Sequence, residues 1–200
     1  LQTGEAIAAP ALSPLGCWHV EERDGKIFVR GKKERPALEK TSAEPERIVI
    51  VGGGAAGFAA AEMLRRRGFT GSVTMLSNDS DAPVDRPNLS KDYLAGGAPE
   101  DWMPLRGDDW YAENKIDLKL KTEVTAIDPR AGAVTLGDGS TIHYDKLLLA
   151  TGAEPVRLDM PGVNAPHVHT LRSFADCRAI IAQAKNAKRA VVIGASFIGL

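Results

Sequence analysis

Residues 47–57 run Arg-Ile-Val-Ile-Val-Gly-Gly-Gly-Ala-Ala-Gly, and no other stretch limits the fold as much. Ile48, Val49, Ile50 and Val51 form an unbroken β-branched run, the pattern of a strand buried on both faces of a parallel sheet. The run enters glycines 52, 54 and 57, spaced G-x-G-x-x-G. The first glycine permits a tight turn, the second lets backbone approach a pyrophosphate, and the third lets helix pack close to strand. The whole turn, Gly52, Gly53, Gly54, Ala55, Ala56 and Gly57, is therefore a candidate diphosphate cradle. The positive end of the helix dipole and its open N–H groups would face the phosphates.

The surrounding sequence supplies the context this motif needs. Ala55 to Arg67 has helix-forming composition, and Gly68 is a suitable C-terminal stop. Val73-Thr74-Met75-Leu76 follows as a second strand. A β-α-β unit of about 30 residues results, the length such a crossover requires.

Composition narrows the function classes. The chain is 44% hydrophobic and 26% charged, with a formal net charge of -1. That balance does not favour nucleic acid or an anionic membrane surface as a partner. No apolar run approaches the ~20 residues of a membrane span, and the first residues lack a signal-peptide pattern. The two cysteines, Cys17 and Cys177, stand far apart. They read as small buried apolar residues rather than a disulfide framework, with a reducing cytoplasm as the compartment. His167-x-His169 would share one face of a strand, but no Cys, Asp or Glu close in sequence completes a metal set, so no metal ligand is assigned.

Four segments emerge along the chain. Residues 1–30 read as the tail of a small β domain, with short β-prone runs at Trp18–Glu22 and Lys26–Arg30 around the hairpin signal Asp24-Gly25. Residues 31–46 are charged and proline-bearing, a linker. Residues 47–165 form an incomplete dinucleotide domain. Its long irregular stretch, 79–100, is of the kind that usually serves function. Helix and turn mix over 102–116. Short strands at Asp117–Leu120, Glu123–Ile127, Ala133–Leu136 and Thr141–Tyr144 suit an antiparallel meander, turning at Ala131-Gly132 and Asp138-Gly139. Lys146–Ala150 is an apolar run fit for the middle of the parallel sheet. Residues 166–200 open a second domain: a helix over Ser173–Lys188, a strand over Arg189–Ile193, then another glycine turn. The chain starts at Leu1 and stops inside this second strand-turn-helix, so it reads as a piece of a longer protein.

Three further motifs carry a family resemblance. Asp85-Arg86-Pro87-Asn88-Leu89-Ser90-Lys91 resembles the R-P-x-L-S-K segment of ferredoxin-reductase and apoptosis-inducing-factor-like flavoproteins. Leu148-Leu149-Ala150-Thr151-Gly152 resembles the A-T-G strand end of two-dinucleotide flavoproteins. Val192-Ile193-Gly194-Ala195-Ser196-Phe197-Ile198-Gly199 is similar to their NAD(P)-binding turn. The fold implied is α/β: a two-dinucleotide, Rossmann-like flavoprotein with a parallel sheet, an antiparallel meander and a short all-β tail.

The resemblance implies FAD at the first turn and NAD(P)H, as co-substrate, at the second. Arg86 and Lys91 would approach flavin and phosphates, Lys91 in the catalytic position, since a cation beside the ring favours its reduced, negatively charged form. Val124, Thr151 and Gly152 are further implied FAD contacts, and Gly194, Ser196, Phe197, Ile198 and Gly199 the NAD(P) contacts. An acidic residue normally ends the second strand to bind the ribose; here Asn78 stands at that place and Asp79 one later, and either is a candidate. Ser196 replaces the middle glycine of the second turn. Residues 80–100 hold no cysteine, so the C-x-x-x-x-C dithiol of disulfide reductases is missing and a one-electron, iron–sulfur acceptor is implied.

The N-terminal segment resembles the last strands of a Rieske 2Fe-2S domain. The C-x-H and C-x-x-H ligand motifs of that family would lie before Leu1. Cys17 and His19 have the spacing of C-x-H but the wrong place and no partner motif. A 2Fe-2S cluster is thus expected in the full-length protein, without ligands in this chain. The function implied is an NAD(P)H-dependent FAD oxidoreductase passing electrons to a fused Rieske domain or a separate iron–sulfur protein. The alternatives are an apoptosis-inducing-factor-like signalling or redox-sensing flavoprotein, a monooxygenase-type flavoprotein, and a first turn that binds NAD. The acceptor, NADH against NADPH, and the oligomeric state, a homodimer included, stay open.

Overall fold

The structure, a computed structural model, describes residues 15–34 and 46–194. Most of the expected linker 31–46, at 35–45, residues 1–14 of the expected β tail, and the proposed contacts Ser196, Phe197, Ile198 and Gly199 lie outside the described residues.

The anticipated hairpin is present. Strands β1 (Trp18–Arg23) and β2 (Lys26–Lys32) pair antiparallel, with Val20 opposite Val29 and Glu22 opposite Ile27. Asp24 and Gly25 both take positive φ, 54° and 68°, as a type I′ turn requires.

Strands β3 (Arg47–Val51), β4 (Ser72–Leu76), β5 (Ile116–Lys119) and β9 (Lys146–Leu149) form a four-stranded parallel sheet at the centre. Their order across it is β5-β4-β3-β9. Helix α1 (Ala55–Arg66) crosses from β3 to β4. Gly68 follows it at φ 81°, so the expected stop falls where a left-handed residue is needed.

Alternation along β3 divides the core. Ile50 packs with Phe58 and Ala61 of α1, together with Phe69, Val73, Met75, Tyr111 and Ile116. Val49 points the other way, into a cluster with Leu76, Val134 and Leu136, where the meander covers the sheet. Burying a side chain such as Phe58, Ile50 or Met75 contributes roughly 1.5–3 kcal/mol. The meander comprises β6 (Val124–Asp128), β7 (Ala133–Leu136) and β8 (Thr141–His143). A third cluster joins Val84, Leu89, Tyr93 and Met103 to Phe174 and Cys177 of α3 (Phe174–Ala184). It fastens that helix to the long segment after β4. A short helix, α2 (Asp108–Glu113), precedes β5.

Several expectations need correction. The run at 117–120 is not part of the meander: β5 pairs with β4 in parallel, Val73 opposite Ile116, because the chain re-enters the sheet after the crossover through α2. The apolar run at 146–150 does not lie mid-sheet. Among the described residues β9 pairs only with β3, which leaves Leu148 and Leu149 39% and 56% exposed. Residues 189–193 form no strand; Val191, Val192 and Ile193 are exposed and no described strand pairs with them. Helix α3 ends at Ala184 rather than Lys188. His167 and His169 lie in a turn and irregular chain, so strand alternation does not align them. Cys17 is half-buried; only Cys177 is a core residue.

Candidate functional site

The site is built at the carboxyl ends of β3, β4 and β9, where the parallel strands hand over to their connections. Gly52 takes φ 124°, and its N–H donates to the Leu76 carbonyl at 2.8 Å. A Cβ on Gly52 would lie 2.1 Å from the Ala150 oxygen and 3.0 Å from the Thr151 nitrogen. Turn and A-T-G strand end are therefore in backbone contact, as only glycine allows. A Cβ on Gly57 would fall 2.0 Å from the Gly52 oxygen, and one on Gly53 would fall 2.2 Å from Ser77 Oγ. Gly54 differs: its nearest neighbour would be Arg86 Nη2 at 3.7 Å.

Gly54 is also the N-cap of α1 and offers no side chain to its first N–H groups. Ala55 and Ala56, next along, are exposed. The opening of α1 can thus accept an anion. Helix α3 is the opposite case. Ser173 Oγ accepts from the Asp176 N–H at 3.0 Å, and Asp176 Oδ2 accepts from the Ser173 N–H at 2.8 Å, so its own side chains close its end.

Arg86 begins a 3-10 turn, Arg86–Ser90, that follows Asp85 and carries Pro87. Asn88 Nδ2 donates to Asp85 Oδ2 at 3.0 Å and Leu89 is buried, so the turn is fixed at both ends. Arg86 Nη2 donates to Asp79 Oδ2 at 3.1 Å. The Asp79 backbone is held by the loop after β5: its oxygen accepts from the Lys121 N–H at 2.9 Å. Asn78 and Asp79 both line a cavity of about 280 Å³ whose walls also include Gly53, Asp81, Arg86, Ser173 and Phe174. That volume sits near the lower end for small-molecule sites, suited to part of a dinucleotide.

The remaining expected residues are distributed as follows. Lys91 caps the 3-10 turn and is exposed. Val124 is half-buried against the Val49, Leu76, Val134 and Leu136 cluster. Thr151 is exposed at the strand end. Gly194 takes φ 109°, consistent with a glycine-dependent turn. Among the described residues no group of three or more His, Cys, Asp or Glu could hold a metal ion, and no helix is long and apolar enough to cross a membrane.

Three residues near the site had no individual signal in the sequence. Arg172 Nη2 stands 2.9 Å from where a Cβ would project from Gly152, itself at φ 74°. Asp81 lines the cavity, and Arg178 of α3 donates to it at 2.7 Å. Partial burial would raise the Asp81 carboxyl, but hydrogen bonds from Arg178 and Ser80 outweigh that and hold it below the usual carboxylate range. The start of α3 was legible from Ser173 and Asp176, yet nothing in its pattern placed it at the cavity that Gly53 also lines.

The chain is similar to known proteins over most of its length. The profile of the pyridine nucleotide-disulphide oxidoreductase family matches residues 46–200. The ferredoxin–NAD(+) reductase subunit of the benzene 1,2-dioxygenase system of Pseudomonas putida is 36% identical over 152 residues, 76% of this chain and 37% of that protein. Human apoptosis-inducing factor 3 is 30% identical over 213 aligned positions, 100% of this chain and 34% of that protein. The covalent putidaredoxin reductase–putidaredoxin complex superposes with a TM-score of 0.67 at 37% identity, covering 70% of this chain and 34% of that one. The chain spans 34–40% of the length of the curated relatives it matches.

Proposed function

This chain belongs to the pyridine nucleotide-disulphide oxidoreductase family, and from that premise we propose that it is the FAD-binding part of a reductase that moves electrons from NAD(P)H to an iron–sulfur protein. The observation that carries the reading is the open N-terminus of α1 with the Arg86 guanidinium beside Gly54. Backbone N–H groups and a fixed cation converge there at the carboxyl ends of parallel strands, where this class of sheet binds its ligands.

FAD, when bound, supplies the chemistry of hydride uptake followed by single-electron release. The chain's own residues bind and orient it. The α1 N-terminus and Arg86 take the diphosphate. Asn78 and Asp79 offer an amide and a carboxylate to the ribose. Gly52, Thr151 and Gly152 let the backbone approach, and Arg172 adds a second guanidinium at that edge. Lys91 follows the same turn as Arg86, which supports its assignment as the cation that favours reduced flavin. Val124 is assigned a backbone contact, its side chain being committed to packing. Gly194, Ser196, Phe197, Ile198 and Gly199 are assigned to NAD(P)H.

An iron–sulfur acceptor is supported by relatives named for ferredoxin and putidaredoxin as partners. For residues 1–30 the finer reading is the end of a Rieske-type domain whose 2Fe-2S ligands precede them. Two observations support it: the β1–β2 hairpin exposes Trp18, Val20, Ile27 and Val29, which suits strands that belong to a larger β domain, and the likeness to apoptosis-inducing factor 3 runs the whole length of this chain. Two free thiols, Cys17 and Cys177, suit a reducing compartment.

Titrating the flavin-free full-length protein with FAD tests the reading. Stoichiometric binding, followed by rapid bleaching of the flavin absorbance on adding NADH or NADPH, is expected; a protein that takes up no FAD overturns it. The full-length match to apoptosis-inducing factor 3 also favours a second reading, a slow redox-sensing flavoprotein. Rapid turnover with ferricyanide as acceptor decides against that one.

A further inference from the structure

Two arginine–aspartate pairs flank the cavity, and only one of them faces the glycine turn. Arg86 pairs with Asp79 and stands beside Gly54. Arg178 reaches in from α3, donating from Nη1 to Asp81 at 2.7 Å and from Nη2 and Nε to Glu100 Oε1 at 2.7 and 3.0 Å. Its guanidinium lies 3.8 Å from the centre of the Phe174 ring, a cation–π contact that helps to hold it in place. Ser80 Oγ donates to the other Asp81 oxygen at 2.8 Å. Asp81, Asp79, Arg86 and Gly53 all line the same cavity, whereas Glu100 does not.

This arrangement sets a charge problem. A diphosphate entering beside Gly53 and Gly54 meets two carboxylates and one facing guanidinium. Asp79 is occupied by Arg86. Asp81, if unpaired, would repel the diphosphate. A guanidinium held in place by an aromatic face and a second acid removes that repulsion. We propose that Arg178 is a positioning residue for the FAD diphosphate: by holding Asp81 from the α3 side, it keeps that carboxylate from opposing a diphosphate in the same cavity. The proposal rests on the FAD reading above and adds to it a residue from outside every motif. It also gives α3 a role in the first dinucleotide site, although the helix leads towards the second.

The test is FAD affinity of the flavin-free full-length protein, read by quenching of flavin fluorescence, for wild type, R178A, D81N, R178A/D81N, R178K and E100Q. R178A is expected to bind FAD roughly tenfold more weakly, a change of one decade in Kd, and to regain part of that affinity as salt screens Asp81. D81N alone stays near wild type, and R178A/D81N returns to near it, because the repelling carboxylate is gone. A purely structural loss of the α3 anchor would not be rescued by D81N. R178K, which keeps the charge but loses the fork between Asp81 and Glu100, is expected to bind FAD more tightly than R178A and less tightly than wild type, and serves if R178A fails to fold. E100Q, which loosens one of the two holds on Arg178 and leaves the Asp81 pair intact, is expected to weaken binding less than R178A does. Equal affinity for R178A and wild type, failure of D81N to rescue, or an E100Q defect matching that of R178A overturns the proposal. Wild-type protein that binds no FAD overturns the underlying reading instead.

Discussion

The Arg86 nitrogen that donates to Asp79 Oδ2 at 3.1 Å also stands 3.7 Å from where a Cβ would project from Gly54. One guanidinium is thus held by an acid from the end of β4 while it faces the turn that ends β3. Arg86→Ala is expected to weaken FAD binding about tenfold or more, the worth of a charge-assisted contact. Arg86→Lys should recover part, because a point charge replaces a fork. Unchanged FAD affinity in the alanine variant would remove Arg86 from the diphosphate site.

Glycines of the turn should separate by readout. Gly57→Ala and Gly52→Ala each drive a Cβ into backbone, at 2.0 and 2.1 Å, and Gly52 adds the strain of φ 124°. Both should destabilise the protein by about 2 kcal/mol or more, seen as a lower urea midpoint. Gly54→Ala meets only an ordinary contact and has φ -88°, so stability should hold while FAD affinity falls. A Gly54→Ala protein that unfolds as readily as Gly57→Ala contradicts this division.

Arg106 is expected to matter for stability and not for the cofactor. Its guanidinium donates to the mostly buried Glu62 at 2.8 Å and lies 5.7 Å from the rings of Phe58 and Trp110. Arg106→Ala strands that carboxylate in the core beneath α1, a loss of about 3 kcal/mol by chemical denaturation. Pairing it with Glu62→Gln should return part of the loss; a purely additive double variant would show that the two groups do not interact.

Asp145 ties Lys146 and β9 to the start of β3. Its Oδ1 accepts from Arg47 Nη2 and its Oδ2 from the Arg47 N–H, both at 2.8 Å. These hydrogen bonds hold its carboxyl below the ordinary value of 3.8. A depressed folded pKa means that its stabilisation is complete above about pH 3.8 and is lost as pH falls through the lower folded value. Urea midpoints measured from pH 5 down to pH 2 should therefore fall more steeply for wild type than for Asp145→Asn. Parallel curves would exclude the linkage.

Cys177 should be silent towards thiol reagents in the native protein. It is buried in the third cluster, its Sγ donates to the Leu89 carbonyl at 3.1 Å, and burial raises its thiol above the ordinary value, suppressing the reactive thiolate. Labelling followed by peptide mapping should find Cys17 modified first and Cys177 only on unfolding; early Cys177 labelling would show that α3 detaches readily.

Features set by local chemistry were legible in advance. The β3–glycine–α1 unit, the Asp24-Gly25 hairpin, the stop at Gly68, the β6–β7–β8 turns and the start of α3 each depend on residues a few positions apart, through periodicity, positive φ or capping. The strand at 116–119 was legible as a strand but not as a member of the parallel sheet, since nothing in Ile-Asp-Leu-Lys says which neighbour its backbone will pair with. Likewise the apolar run 146–149 resembles a central strand whether or not a second neighbour is present.

What the amino-acid sequence determined by itself is the kind of chain this is: a dinucleotide turn on a parallel sheet, with Arg86 in a motif that resembles flavoprotein reductases, and membership of their wider family. Only the tertiary structure decided which charges meet around the sheet and its cavity. Arg178 reaches Asp81 across 97 positions and Arg47 reaches Asp145 across 98, and Arg172 comes to lie over Gly152 after a stretch of irregular chain. Such pairs follow from how helices and loops stack around the sheet. Local propensity acts over a few residues, whereas a cavity is enclosed by segments that packing alone brings together.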